Sequence, residues 1–279
     1  MPERKGKVPG LKLLLEGEPG TGKTYSTRTL PACGLKSRLI FLDASQVSVE
    51  SLPMDGPTDL QWKHIKPPQT AWSDLQDMFT SVHNLSNKAL QSPDSSAIAL
   101  RSQTQMLELL TVCNKYISDR NGKDYGDILT WGTDTVLVID GLSKLTNYAL
   151  RMSVGLKPIL TIVDWGVVQN VVRNFLQPLV DNLWCHFVLI SHIDREIDEI
   201  KGGTRKVPAT AGRKLGPRIP ELFDDVIMAY RTGNKFLWRT YGDDDAMTKG
   251  RSVGLINDVP ADYKIVLDAW KARGGVIEP

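Results

Sequence analysis

Glycines, a lysine and a hydroxyl stand at the spacing G-x-x-x-x-G-K-[ST] in Gly17-Glu-Pro-Gly-Thr-Gly-Lys-Thr24, which is the chemistry of gripping a triphosphate. Gly20 and Gly22 let the backbone curl until successive N–H groups point at a β-phosphate, and a helix opening near Lys23 adds its positive end. The Lys23 ammonium would neutralise the β- and γ-phosphates. The Thr24 hydroxyl would take one position around an octahedral magnesium ion. Gly17, Glu18, Pro19, Gly20, Thr21, Gly22, Lys23, Thr24 and Tyr25 are therefore the expected cradle. Far downstream, Asp140 closes an apolar strand, where its carboxylate can hold the same metal directly or through water. An acidic strand end alone means little, but coupled to an upstream phosphate loop it reads as the metal-holding acid. The expected cofactors are ATP and Mg2+.

These groups need elements to hold them. Leu11 to Leu15 is a short apolar run before the glycine-rich turn, and Thr24 to Leu30 reads as a helix stopping near Pro31. Arg38 to Asp43, Thr135 to Asp140 and His186 to Ser191 are further apolar runs of the kind buried between two helical layers. Asp225 to Tyr230 is a fifth candidate strand, with Lys235 to Arg239 pairing beside it as an antiparallel edge. The expected class is α/β, a P-loop NTPase with a mostly parallel sheet and helices on both faces. Between the second and third strands, Ala71 to Leu90 and Ala97 to Ile117 carry helical patterning. Trp72 and Phe79 in the first, and Met106, Leu107, Leu110, Cys113 and Ile117 in the second, are expected to cover the sheet. The expected layout is a flexible stretch over residues 1–10 and a single domain over 11–279, with a helical insertion at about 70–120. Asn121 to Gly126 and Gly202 to Gly212 read as loops.

Composition excludes several classes. The 34 basic and 32 acidic residues nearly cancel, so bulk charge gives no case for nucleic acid or membrane, and any basic surface must be local. Cys33, Cys113 and Cys185 are widely spaced and odd in number, which reads as reduced thiols rather than disulfides or a metal site. No stretch approaches the roughly 18 apolar residues that a spanning helix needs, and residues 1–10 lack the apolar region of a leader. A cytoplasmic protein without membrane contact is expected. Most of the tryptophans, Trp131, Trp165, Trp184, Trp238 and Trp270 among them, sit in or beside apolar stretches and read as core rather than as base-stacking platforms.

With these motifs placed, the chain resembles the RecA-like, AAA-type P-loop ATPases of phages, a family that includes single-strand-annealing recombination proteins. The resemblance rests on LLLEGEPGTGKT (Leu13 to Thr24), RLIFLDAS (Arg38 to Ser45), TVLVIDGLSKL (Thr135 to Leu145), FVLISHID (Phe187 to Asp194) and GRKLGPRIPELFDDVI (Gly212 to Ile227). It implies a RecA-like fold and an ATPase acting on single-stranded DNA in recombination or replication. It also implies assembly into a ring or filament and, as a further partner, a phage single-strand DNA-binding protein. It makes His192 the sensor of the γ-phosphate and the following loop, Arg195 to Arg218, the DNA-contacting segment. Arg205, Lys206, Arg213, Lys214 and Arg218 are the candidates there, and Arg213, Lys214 or Arg218 equally suit a finger reaching a neighbour's γ-phosphate. Ser143 to Gly166 is a second candidate DNA-facing loop.

Two departures bear on catalysis. Gly141 stands where many ring ATPases carry an acid that activates water, which speaks against a standard AAA+ machine. Ser45 lies near the position where RecA-like enzymes place a catalytic glutamate, leaving Asp43 or Glu50 as substitutes. Two other functions stay open on these residues: a nucleotide-switched helicase loader or adaptor without turnover, and a small-molecule kinase with the basic segment as its lid.

Overall fold

The computed structural model describes residues 7–42, 59–66, 104–155, 160–197, 202–241, 246–254 and 256–279, with single helical positions between 72 and 80. The strands are β1 (Lys12–Gly17), β2 (Lys36–Phe41), β3 (Leu60–His64), β4 (Thr135–Asp140), β5 (His186–Ile197), β6 (Thr204–Pro208), β7 (Asp225–Thr232), β8 (Lys235–Arg239), β9 (Lys249–Gly250) and β10 (Val259–Pro260). The helices are α1 (Lys23–Ser26), α2 (Gln105–Asn114), α3 (Leu142–Val154), α4 (Ile162–Asp181), α5 (Ile219–Leu222) and α6 (Tyr263–Ala272).

The sheet runs β3-β2-β4-β5-β1-β7-β8-β10. From β3 to β7 all pairings are parallel, and β8, β9 and β10 join antiparallel. The chain leaves β1 toward β2 on one side and returns to β7 on the other. The C-terminal end of β1 is therefore a topological switch point, the place where open α/β sheets bind ligands.

Alternation along the strands feeds two cores. Leu14, Leu137, Ile139, Phe187 and Leu189 pack under α3, α4 and α5, through Leu142, Leu145, Ala149, Val168, Val172, Leu176 and Ile219. Leu13, Leu15, Val136, Val138, Val188 and Ile190 face the other way, against Leu30, Leu35 and the Tyr263, Val266, Leu267 and Trp270 stripe of α6. Both faces of the sheet are thus covered, and the fold is the expected α/β P-loop NTPase. Trp131, Trp238 and Trp270 are core residues. The three cysteines are free, Cys185 buried and the other two half-buried. No described helix is long and apolar enough to cross a membrane.

Several expectations change. The helix after the phosphate loop is only one turn, α1, passing into a 3-10 turn at Thr27–Thr29, because Ser26, Thr27 and Thr29 each turn a hydroxyl back onto a carbonyl three residues earlier. β2 begins two residues earlier than patterning suggests and ends at Phe41, and β3 was not anticipated. α2 buries Met106, Leu109 and Val112, whereas Leu107, Leu110 and Ile117 are exposed, so its buried stripe is rotated from the expected one. Trp72 and Phe79, expected to cover the sheet, are exposed. Ser143 to Gly166 is no loop over most of its length: it contains α3 and the start of α4. α4 opens with a capping box in which the Thr161 hydroxyl accepts from Asp164 N–H at 3.3 Å and Thr161 N–H donates to the Asp164 carboxylate at 2.7 Å.

Candidate nucleotide-binding site

β1 delivers the phosphate loop to the switch point. Gly17 is in register with Ala229 of β7 and His192 of β5. A Cβ at Gly17 would stand 2.2 Å from the Ala229 carbonyl oxygen, so only glycine permits this close strand approach. Gly20 and Gly22 turn the chain with φ of 77° and 78°, in the left-handed region. Gly22 also packs against the Phe236 ring of β8, where a Cβ would stand 2.8 Å from ring atom Cδ1.

Lys23 is nearly buried, and its Nζ donates to the carbonyls of Gly17 and Glu18, each at 2.8 Å. Burial pulls its pKa down to about 8 against the opposing pull of Asp140 and Glu18. The Thr24 hydroxyl donates to Asp140 Oδ2 at 2.5 Å, joining positions 116 residues apart. The expected metal-holding hydroxyl and carboxylate are thus adjacent at the tips of β1 and β4. Among the described residues no cluster of three or more His, Cys, Asp or Glu side chains gathers elsewhere to hold a metal. The residues present fit magnesium and a nucleotide: one hydroxyl, one carboxylate and a cradle of left-handed glycines, with phosphate and water left to complete an octahedron.

Gly141 follows Asp140 with φ of 120° and ψ of 59°, a conformation closed to a side-chain-bearing residue, and caps α3. An acid at that position would not fit this backbone. Asp43, Ser45 and Glu50 lie outside the described residues. His192 is exposed and level with Gly17, so the expected sensor does stand at the switch point, and its carbonyl accepts from Ala209 N–H at 2.8 Å.

Beyond His192 the structure departs from the expected loop. β5 continues to Ile197 and pairs antiparallel with β6, forming a two-stranded ribbon. Patterning missed it because charged residues replace the apolar ones once the strand leaves the sheet. Arg205 and Lys206 lie on β6, where Arg205 pairs with Glu196 across the ribbon at 3.2 Å. Arg213, Lys214 and Arg218 are exposed on the turns leading to α5. The ribbon touches the phosphate loop: Arg195 bonds to Glu18 Oε1 at 2.9 Å. Tyr25, half-exposed, lies under the Arg28 guanidinium, 3.6 Å from ring centre to Cζ, and 6.3 Å from the Phe236 ring.

Sequence reasoning passed over Glu16, although a carboxylate in the run LLLEG was visible. It is fully buried, and neither of its oxygens has a hydrogen-bond partner. Burial drives its pKa up to about 8, with Lys206 pulling the other way. The folded carboxyl keeps its proton up to that pH, whereas in the unfolded chain it ionises near 4.5, so in between rising pH favours unfolding. Buried His186, held down to about 3, acts oppositely but only below its ordinary 6.5. Between pH 6.5 and 8 the Glu16 effect therefore stands out. Wild type is expected to lose about 2 kcal/mol, roughly 4–8 °C of melting temperature, across that window, and Glu16→Gln to lose far less. Equal slopes in thermal melts of the two proteins would refute this.

Comparison with known proteins agrees with the geometry. No curated protein matches the chain. The model of the AAA domain family matches residues 9–252, a span that takes in both strand tips, the phosphate loop and the ribbon. On that match the chain belongs to the AAA domain family, the AAA-type P-loop ATPases.

Proposed function

We propose that this protein is a magnesium-dependent ATPase that acts on single-stranded DNA in phage recombination, of the single-strand-annealing kind, or in replication, within the host cytoplasm. The observation that carries the reading is the Thr24–Asp140 contact at 2.5 Å beside a phosphate loop whose Glu18 is ion-paired to the basic ribbon. Gly20, Gly22 and Lys23 position the triphosphate, and Thr24 and Asp140 hold the metal. Bound magnesium would neutralise charge that develops on the phosphate oxygens during transfer. His192 stands between the phosphate loop and the ribbon, so loss of the γ-phosphate changes the ribbon's grip on DNA. Assembly into a ring or filament, with a phage single-strand DNA-binding protein as a further partner, follows from the same reading.

The test is phosphate release measured with and without single-stranded DNA, where at least fivefold stimulation is expected. Tight ATP binding without turnover under both conditions would instead favour a switched adaptor, and a phosphorylated small molecule would favour a kinase. The DNA assignment has its own check. Because Arg213 and Lys214 are exposed near the ribbon, the double substitution Arg213→Ala, Lys214→Ala is expected to weaken DNA binding. Losing two phosphate contacts should flatten the slope of log affinity against log salt by about 1.4, since each contributes about 0.7 on a single strand. An unchanged slope removes these two residues from the DNA interface.

A further inference from the structure

Hydrolysis needs a group that takes a proton from the attacking water, placed at the strand tips where the γ-phosphate is held. Three described carboxylates belong to the phosphate loop or its adjoining strand tips. Asp140 receives the Thr24 hydroxyl and lies on the α1 side of the sheet with it. Glu18 is half-exposed and bonded to Arg195. Glu16 remains, buried beneath the phosphate loop with both oxygens lacking partners. A buried carboxyl left in that state costs stability and calls for a reason, and a catalytic role is one such reason.

Sheet register says what Glu16 faces. Glu16 pairs with Ser191 of β5, and Asp140 pairs with Ile190, so Gly141 comes level with Ser191 in the next strand. Glu16, Ser191 and Gly141 form one row across the tips of β1, β5 and β4. Alternation puts Glu16 on the side of Leu14, above α3 and α4, opposite the Thr24–Asp140 contact. Gly141 contributes no side chain to that row, and the Ser191 hydroxyl is turned onto the His192 carbonyl at 2.6 Å. The row thus holds a single carboxylate, about 10 Å from Gly141 at the usual strand spacing. Burial holds this carboxyl's pKa up to about 8 and Lys206 of the ribbon pulls it back toward the ionised form, so near pH 8 about half of Glu16 is ionised and able to accept a proton.

We propose that Glu16 is the general base of this ATPase, a catalytic residue supplied by the phosphate-loop strand itself. The inference rests on the ATPase reading above. A Glu16 oxygen accepts a proton from water as the water oxygen forms its bond to the γ-phosphorus. The bond from that phosphorus to the β,γ-bridging oxygen breaks, and its electron pair leaves with ADP. The proton on Glu16 is then given up to solvent with phosphate release.

The experiment is a single-turnover assay at pH 8 on the full chain with ATP, magnesium and single-stranded DNA, paired with calorimetric ATP binding and thermal melts. Glu16→Gln keeps the shape and removes the acceptor. It is expected to bind ATP within about threefold of wild type, to melt no lower, and to cleave at least about 100-fold more slowly, so that acid-quenched complexes hold ATP rather than ADP. Glu16→Asp, which keeps the charge but withdraws it by one methylene, should fold, bind ATP and cleave at least tenfold more slowly. Cleavage by either variant within fivefold of wild type overturns the proposal and leaves the ATPase reading intact. Slower cleavage matched by equal loss of ATP binding or of melting temperature makes Glu16 structural and overturns it too. A wild type that binds ATP without cleaving it ends the proposal but not the nucleotide site, whereas one that binds no ATP ends both.

Discussion

Lys23→Ala is expected to abolish ATP turnover and to weaken ATP binding about 10- to 100-fold while moving the melting temperature by no more than about 3 °C. Function and stability separate here because of where the ammonium lies. It is nearly buried and satisfied by two carbonyls of its own loop. Burial disfavours its charge, lowering its pKa to about 8. Removing it relieves that desolvation but leaves the Gly17 and Glu18 carbonyls short of a donor, and the two effects oppose each other in the folded protein. A triphosphate changes the balance, since each charge-assisted bond to phosphate is worth about 1.5–3 kcal/mol. Titration calorimetry with ATP and magnesium, read beside phosphate release, checks both halves. Turnover by Lys23→Ala at the wild-type rate would mean that the phosphate loop is not the catalytic grip.

Gly17→Ala should damage the fold itself. The added methyl would meet the Ala229 carbonyl oxygen at 2.2 Å and the Thr21 hydroxyl at 3.0 Å. The carbonyl belongs to β7, which is clamped by register to β8 through Ala229 and Trp238, and Trp238 is fully buried against Tyr263, with rings 4.9 Å apart. No flexible atom can move aside, so β1 and β7 must separate. Overpacking against backbone costs about 3 kcal/mol, the upper end of the usual range, or roughly 6–12 °C of melting temperature in a chain of this size. ATP binding should fall with it, because the phosphate loop starts at this residue. Gly20→Ala is the control: nothing lies within 4 Å of its added methyl, and the φ of 77° alone leaves a strain of about 1–2 kcal/mol. If Gly17→Ala melts within 2 °C of wild type, the strand approach at Ala229 is not as close as described.

Legibility followed the range of the deciding interactions. β4 matches its expected span residue for residue, and β8 takes the expected span Lys235 to Arg239 and pairs antiparallel beside β7 as expected. The phosphate loop was equally plain, since its φ values and its lysine are set within ten residues. α4 was not among the expected elements; Gly166 and Pro178 are poor helix formers, yet its capping box and the buried Val168, Val172, Phe175, Leu176 and Leu179 outweigh them. The β5–β6 ribbon was read as loop because its stability comes from cross-strand pairing, which no local pattern announces. Glu16 was passed over because a carboxylate in a strand means nothing until its neighbours are known to lack a partner for it.

Residue chemistry and local backbone freedom determined by themselves that a phosphate-loop motif follows the first strand and that an acid ends a later one. Only the tertiary structure decided that Thr24 meets Asp140, that Arg195 reaches Glu18, and that Glu16 and Gly141 share one row of the sheet. The physical reason is strand order. Contacts spanning more than a hundred residues depend on β5 lying between β1 and β4, and that placement is a property of the packed sheet rather than of any segment within it.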